Sequence, residues 1–147
     1  MASSLTARAD VQVFAEIGMI DQLATTRIER LLPDGLTSPQ FSVLNHLAHG
    51  REESPASLAQ AFQVTKGAIT NTLQRLESRG LVMVAPDPSD GRRKRVTITA
   101  EGLSAYDNSL GALRPMMESL REAFTVSEFA ETLPFLTALR TWLDKTR

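Results

Sequence analysis

Between Ser38 and Gly80 the chain starts and stops a helix three times, and this punctuation bounds the fold more tightly than any other feature. "TSPQFSVLNHLAHG" opens with Ser38 as N-cap and Pro39 at the first helical position, and Gly50 ends it. "ESPASLAQAF" repeats the same grammar with Ser54 and Pro55. After the short turn "QVT", Thr65 caps "KGAITNTLQRLESRG", which Gly80 terminates. Then the period changes. "LVMVAP" is strand-like, "DPSDG" is turn chemistry, and "RVTIT" alternates Val96 and Ile98 inward with Arg95 and Thr97 outward. Short helices joined by tight turns, then one hairpin, predict a mainly α fold with a single small β element.

Longer helices flank this block. Val13, Ile17, Ile20, Ala24, Ile28 and Leu31 recur at helical spacing, and "LPDGL" stops that helix. On the other side Thr99 is placed to cap a helix in which Leu103, Tyr106, Leu110, Leu113, Met117, Leu120 and Phe124 step alternately by three and four. Pro115 inside it predicts a kink. "TVSE", Thr125 to Glu128, is a capping box for a final helix striped by Phe129, Leu133, Leu136, Leu139 and Leu143 and interrupted by Pro134.

At 147 residues, 42% hydrophobic and 22% charged, the chain is expected to fold as one globular domain. It has no cysteine, which excludes disulfides, thiolate metal sites and cysteine-based redox sensing. "MASSLTARADVQVF" lacks the basic-then-apolar order of a signal peptide, and no apolar run is long enough for a membrane span. The expected location is cytoplasmic. Charge is uneven: the net is −3 over residues 1–64, +4 over 65–99 and −2 over 100–147. The basic middle is where a polyanion would dock.

That middle has the plan of a winged helix-turn-helix, in which the second short helix enters the major groove and the hairpin flanks it. In the helix at about 66–79, Ile69, Leu73 and Leu76 share one face and would pack against Leu58, Phe62 and Leu81. Gly67, Thr70, Asn71, Gln74 and Ser78 share the other. A solvated face usually carries Glu–Lys pairs, and this one carries amides and hydroxyls instead. Asn and Gln can pair with adenine N6 and N7, a Thr methyl can touch a thymine methyl, and the helix start suits phosphate. Thr65, Lys66, Gly67, Thr70, Asn71, Gln74 and Arg75 are therefore the candidate recognition set. Asp90-Gly91 is read as the hairpin turn, with Arg92, Arg93 and Lys94 at its tip, in reach of a minor groove or its phosphates. Asp90 is read as the partner that orients the Arg92 fork.

Other classes have weaker support in the sequence. His46 and His49, three apart, could hold a metal only with Glu52 or Glu53, which would make a metal-responsive regulator; no metal site is assigned. No nucleophile elbow, phosphate loop or His–carboxylate motif appears, so no catalytic residue, cofactor or enzyme activity is expected. A winged-helix protein-interaction module is the remaining alternative, and intact Asn71, Gln74, Arg92 and Lys94 argue against it. Phe14, Met19, Phe41 and Tyr106 would serve equally as core or as the lining of a ligand pocket, so no ligand residue is assigned.

"SLAQAFQVTKGAITNTLQRLESRGLV" followed by "DPSDGRRKRVTIT" resembles the MarR family of bacterial transcriptional regulators. Leu76-Glu77, Gly80-Leu81-Val82, Asp90 and Arg92 match the family pattern, with Ile98-Thr99 where Leu-Thr is usual. "LTSPQFSVLNHLA" resembles the family's second helix, and the likeness covers residues 10–145. Gly91 departs from it where an Arg is common, which removes one phosphate contact that Arg93 to Arg95 would offset. The resemblance implies a homodimer built from residues 10–35 and 100–147. It also implies a DNA-binding lobe at 36–99 with its wing at about 82–99, acting on a palindromic double-stranded operator. Repression, relieved by a small-molecule effector, is the mode it implies.

Overall fold

The computed structural model describes residues 8–50 and 52–146, so the first seven residues of the stretch read for a signal sequence lie outside the described residues. Helix α1 spans Ala9–Leu31, and a single 3-10 turn at Pro33–Gly35 follows it. Next come α2 (Ser38–Ala48), α3 (Pro55–Ala61) and α4 (Lys66–Ser78). The hairpin is β1 (Val82–Pro86) and β2 (Lys94–Ile98), and α5 (Ala100–Ala123) and α6 (Val126–Lys145) complete the chain. By internal contacts it divides into two compact units, Met1–Ala112 and Leu113–Arg147.

Local capping chemistry sets the helix starts. Ser54 accepts from the Ser57 N–H at 3.0 Å, and Thr65 from the Ala68 N–H at 3.1 Å, both as read from sequence. Thr125 and Glu128 form the reciprocal box, and the Thr125 backbone N–H, then its hydroxyl, holds the Glu128 carboxyl below the usual carboxylate range. One start differs. Thr37, not Ser38, caps α2: its hydroxyl accepts from the Gln40 N–H at 3.3 Å while Gln40 Oε1 accepts from the Thr37 N–H at 3.2 Å. A Thr-x-x-Gln box satisfies two end donors at once, which a lone Ser-Pro start cannot. The Ser38 N–H donates instead to Glu29 Oε1 of α1, at 2.8 Å.

The core of the first unit is built from Leu32, Leu36, Val43, Leu44, Leu47, Leu58, Ile69, Leu73, Leu76, Leu81, Val82 and Val96, all buried. The expected inward residues of α4 are therefore inward, with Phe62 half-buried beside them. In the hairpin Val96 is fully buried, Ile98 and Arg95 are half-buried, and Val84 pairs with Val96 in antiparallel register.

The junction of α4, the hairpin and α5 is tied by one hydroxyl. Thr99 Oγ1 donates to the Gly80 carbonyl at 2.6 Å and accepts from the Gly102 N–H at 3.0 Å, capping α5 as expected. Gly80 itself has φ +73°, the left-handed turn that ends α4. Gly102 is demanded by space: a Cβ there would lie 2.0 Å from the Leu81 carbonyl oxygen and 2.7 Å from Ile98 Cγ1.

Pro115 and Pro134 each lie inside a single helix, so the interruption expected of them does not divide α5 or α6. Much of the apolar surface of the long helices stays exposed. Phe14, Met19, Ile20 and Leu23 on α1, and Leu103, Leu110, Met117 and Phe124 along the α5 seam, are all open to solvent. On α6 the same holds for Phe129, Leu133, Phe135, Leu136 and Trp142. No helix among the described residues is long and apolar enough to cross a membrane.

Candidate nucleic-acid interface

Helix α4 presents its candidate residues as the periodicity predicts. Thr65, Lys66, Gly67, Thr70, Asn71, Gln74 and Arg75 are all exposed, on the side opposite the buried Ile69, Leu73 and Leu76. A Cβ at Gly67 would meet nothing within 4 Å, so nothing among the described residues requires glycine there. The Thr70 hydroxyl donates to the Lys66 carbonyl at 2.8 Å, and Arg75 Nε donates to Asn71 Oδ1 at 3.3 Å.

The hairpin tip is longer than an Asp-Gly turn. Two successive turns make it, one closed by Asp90 N–H to the Asp87 carbonyl (3.3 Å) and one by Arg93 N–H to the Asp90 carbonyl (3.0 Å). The Asp87 N–H donates to the Arg93 carbonyl at 2.9 Å and shuts the loop. Asp87 Oδ1 accepts from both the Ser89 N–H and the Ser89 hydroxyl. These bonds, the backbone one first, hold the Asp87 carboxyl below the usual carboxylate range.

Two expectations about the tip need correcting. Asp90 does not orient the Arg92 fork. Its Oδ1 accepts from the Arg92 backbone N–H at 3.1 Å, and its Oδ2 lies 3.9 Å from Arg93 Nε. A short carboxylate two residues ahead in a tight turn reaches the turn's own backbone before it reaches a long side chain. Arg92 and Lys94 carry no side-chain hydrogen bond or ion pair among the described residues. Arg95, the fourth cation, is not available to offset Gly91, because its Nη2 is 2.7 Å from Glu52 Oε2.

That ion pair belongs to a clamp the sequence reading missed. Glu53 and Val96 form an isolated antiparallel bridge, with the Val96 N–H donating to the Glu53 carbonyl at 2.7 Å. The Glu53 side chain lies 2.9 Å from His46 Nε2 on α2. Across the hairpin, Glu77 of α4 accepts from the Val84 N–H at 3.1 Å. Glu52, Glu53 and Glu77 thus fix the wing to α2 and α4. No local sequence signal marks them, since each partner is distant in the chain or a backbone group. His49 does not join His46: its Nδ1 lies 2.8 Å from the Asn45 carbonyl and its ring edges Tyr106. Among the described residues there is no cluster of three or more His, Cys, Asp or Glu suited to a metal.

A family model described as MarR family matches residues 34–93, which holds α2 to the wing tip. The transcriptional regulator HosA of Escherichia coli O111:H- is 35% identical over 113 residues, covering 77% of this chain and 80% of that protein. The chain belongs to the MarR family. It is a DNA-binding transcriptional regulator with a winged-helix fold, and not an enzyme. Its fold is similar to that of the transcriptional regulator BldR from Sulfolobus solfataricus, with a TM-score of 0.79 and 26% identity over 88% of this chain and 94% of that one. A mutant MarR from E. coli, solved in complex with operator DNA, is similar at a TM-score of 0.78 and 26% identity, with the same coverage. In this MarR-family chain the helix-turn-helix and wing belong to one compact unit, and the candidate residues are all exposed on it.

Proposed function

We propose that this MarR-family chain is a homodimeric repressor that reads a palindromic operator with α4 and grips the flanking backbone with the wing. Residues 10–35 and 100–147 form the dimerisation region, and residues 36–99 the DNA-binding lobe with its wing at about 82–99. One observation carries the reading. An exposed face of Thr70, Asn71, Gln74 and Arg75 stands in the same unit as a loop whose Arg92 and Lys94 side chains have no partner among the described residues. Exposed cations and an amide-rich helix face in one unit are matched by phosphates and base edges in one duplex.

The exposed apolar side chains of α1, α5 and α6 support the dimer, since a monomer would leave them in water. Without cysteine, the releasing signal is read as a small-molecule effector rather than thiol oxidation. An operator as target puts the working compartment in the cytoplasm. Two tests are direct. Sedimentation should give a particle of two 16.1 kDa chains at micromolar concentration, and selection from random duplexes should yield half-sites centred about 10 base pairs apart. A monomer, or the absence of any enriched sequence, would sink the proposal.

Lys94→Ala should lower the slope of log affinity against log salt by about 0.9 per protomer, as one lost phosphate contact does. Arg95→Ala should leave the slope unchanged, because Glu52 already neutralises that guanidinium. Equal slopes for the two variants would contradict the assignment.

A further inference from the structure

The exposed face of α4 carries more information than its residue types, because the structure decides which of its polar atoms are still free. Thr70 Oγ1 donates its proton to the Lys66 carbonyl and Ser78 Oγ to the Arg75 carbonyl, each at 2.8 Å. Toward a ligand both hydroxyls can therefore only accept, and Thr70 adds a methyl. Arg75 Nε donates to Asn71 Oδ1 at 3.3 Å, one helical turn apart on the exposed face. Gln74 makes no side-chain hydrogen bond among the described residues, so both ends of its amide are open.

The Asn71–Arg75 contact changes what Asn71 can read. A free Asn offers adenine an acceptor for N6–H2 and a donor for N7. Here the acceptor lies against a guanidinium, and an adenine N6–H2 approaching it would face a cation with its own donors. Asn71 Oδ1 keeps one lone pair, but the free hydrogens of the pair, on Asn71 Nδ2 and Arg75 Nη, outnumber it, so the edge is donor-rich. Guanine is the base whose major-groove edge, O6 and N7, presents two acceptors.

We infer that Asn71 and Arg75 act as one coupled donor unit that reads guanine, and that the adenine-type contact of each half-site belongs to Gln74. This rests on the sequence-reading function proposed above and names the bases it reads. The Arg75 fork is oriented by Asn71, so Asn71 is in part a positioning residue.

The test is selection from randomised duplexes with the full-length chain and its variants. Wild type should enrich a guanine in each half-site. Asn71→Ala and Arg75→Ala should each cut its preference over adenine by about five- to hundredfold, the range of one bidentate contact. The double variant should lose no more than the worse single one. Arg75→Lys keeps the charge but not the planar fork, so it should retain affinity for random DNA while losing the guanine preference. Gln74→Ala should relax a different, adenine-bearing position. All five variants alter exposed side chains, and their melting curves should overlay wild type. An adenine at the position relaxed by Asn71→Ala overturns the inference while leaving the operator-binding function standing. So do additive losses in the double variant. A wild-type chain that enriches no sequence overturns both.

Discussion

Gly102→Ala should be the most destabilising glycine-to-alanine change in this chain. The added carbon would sit 2.0 Å from the Leu81 carbonyl oxygen, and that oxygen cannot yield easily. It accepts the Thr99 N–H at 3.1 Å, and the Leu81 N–H is itself held by the Leu76 carbonyl at 3.0 Å. Relief requires α5 to lift from the hairpin, with loss of the Thr99 bonds that join Gly80 to Gly102. Overpacking of this kind costs typically 1–3 kcal/mol, and a rigid backbone neighbour puts the expected loss at about 3 kcal/mol or more. That is a large share of the roughly 5–15 kcal/mol that stabilises an ordinary domain. Gly111→Ala is the control. It lies in the same helix with nothing within 4 Å of the new carbon, and it should gain up to about 1 kcal/mol of helix propensity. Urea midpoints separate the two. Equal midpoints would mean that α5 does not rest on Leu81.

Replacing Arg92, Arg93 and Lys94 together with alanine should abolish useful DNA affinity while leaving the fold intact. All three side chains are exposed, and the one contact among them, Arg93 to Asp90 at 3.9 Å, is too long and too solvated to matter for stability. If each cation neutralises a phosphate, the triple variant lowers the salt slope by about 2.7 per protomer. For a dimer with six such contacts, this steepness is worth on the order of 10³-fold in affinity between 50 and 200 mM salt. Fluorescence anisotropy over a salt series measures slope and affinity together. An affinity within tenfold of wild type would show that the wing is a charged, soluble tip and that α4 binds alone.

What could be read from the sequence was what acts over a few residues. The caps at Ser54, Thr65 and Thr125 are contacts between neighbours three apart, so spacing was enough to find them. The inward and outward faces of α4 follow from helical period alone. Thr37 was missed because the Ser38-Pro39 start hid the better box one residue earlier. The wing loop was misread for a similar reason: Asp90-Gly91 suggested one turn, while Asp87 and Ser89 build another before it. The Glu52–Arg95 pair and the Glu53–Val96 bridge join segments about forty residues apart, and a one-residue bridge leaves no periodic trace. The Asn71–Arg75 bond sits at the legible spacing of four, but whether the two side chains meet depends on rotamers that spacing does not set.

The wing clamp also bears on how the hairpin meets other chains. A two-stranded ribbon has two open edges, each a template for a foreign strand. On the β2 side, Val96 spends both its backbone groups on Glu53. With Val84 opposite Val96, the outward amides of β1 belong to Val82, Val84 and Pro86. Glu77 occupies the Val84 N–H, and Pro86 has none to give. Of these outward amides of β1, Val82, at the root of the strand, remains. The middle of each edge is therefore closed, at Val96 on β2 and at Val84 and Pro86 on β1, which leaves a foreign strand too short a ladder to zip onto.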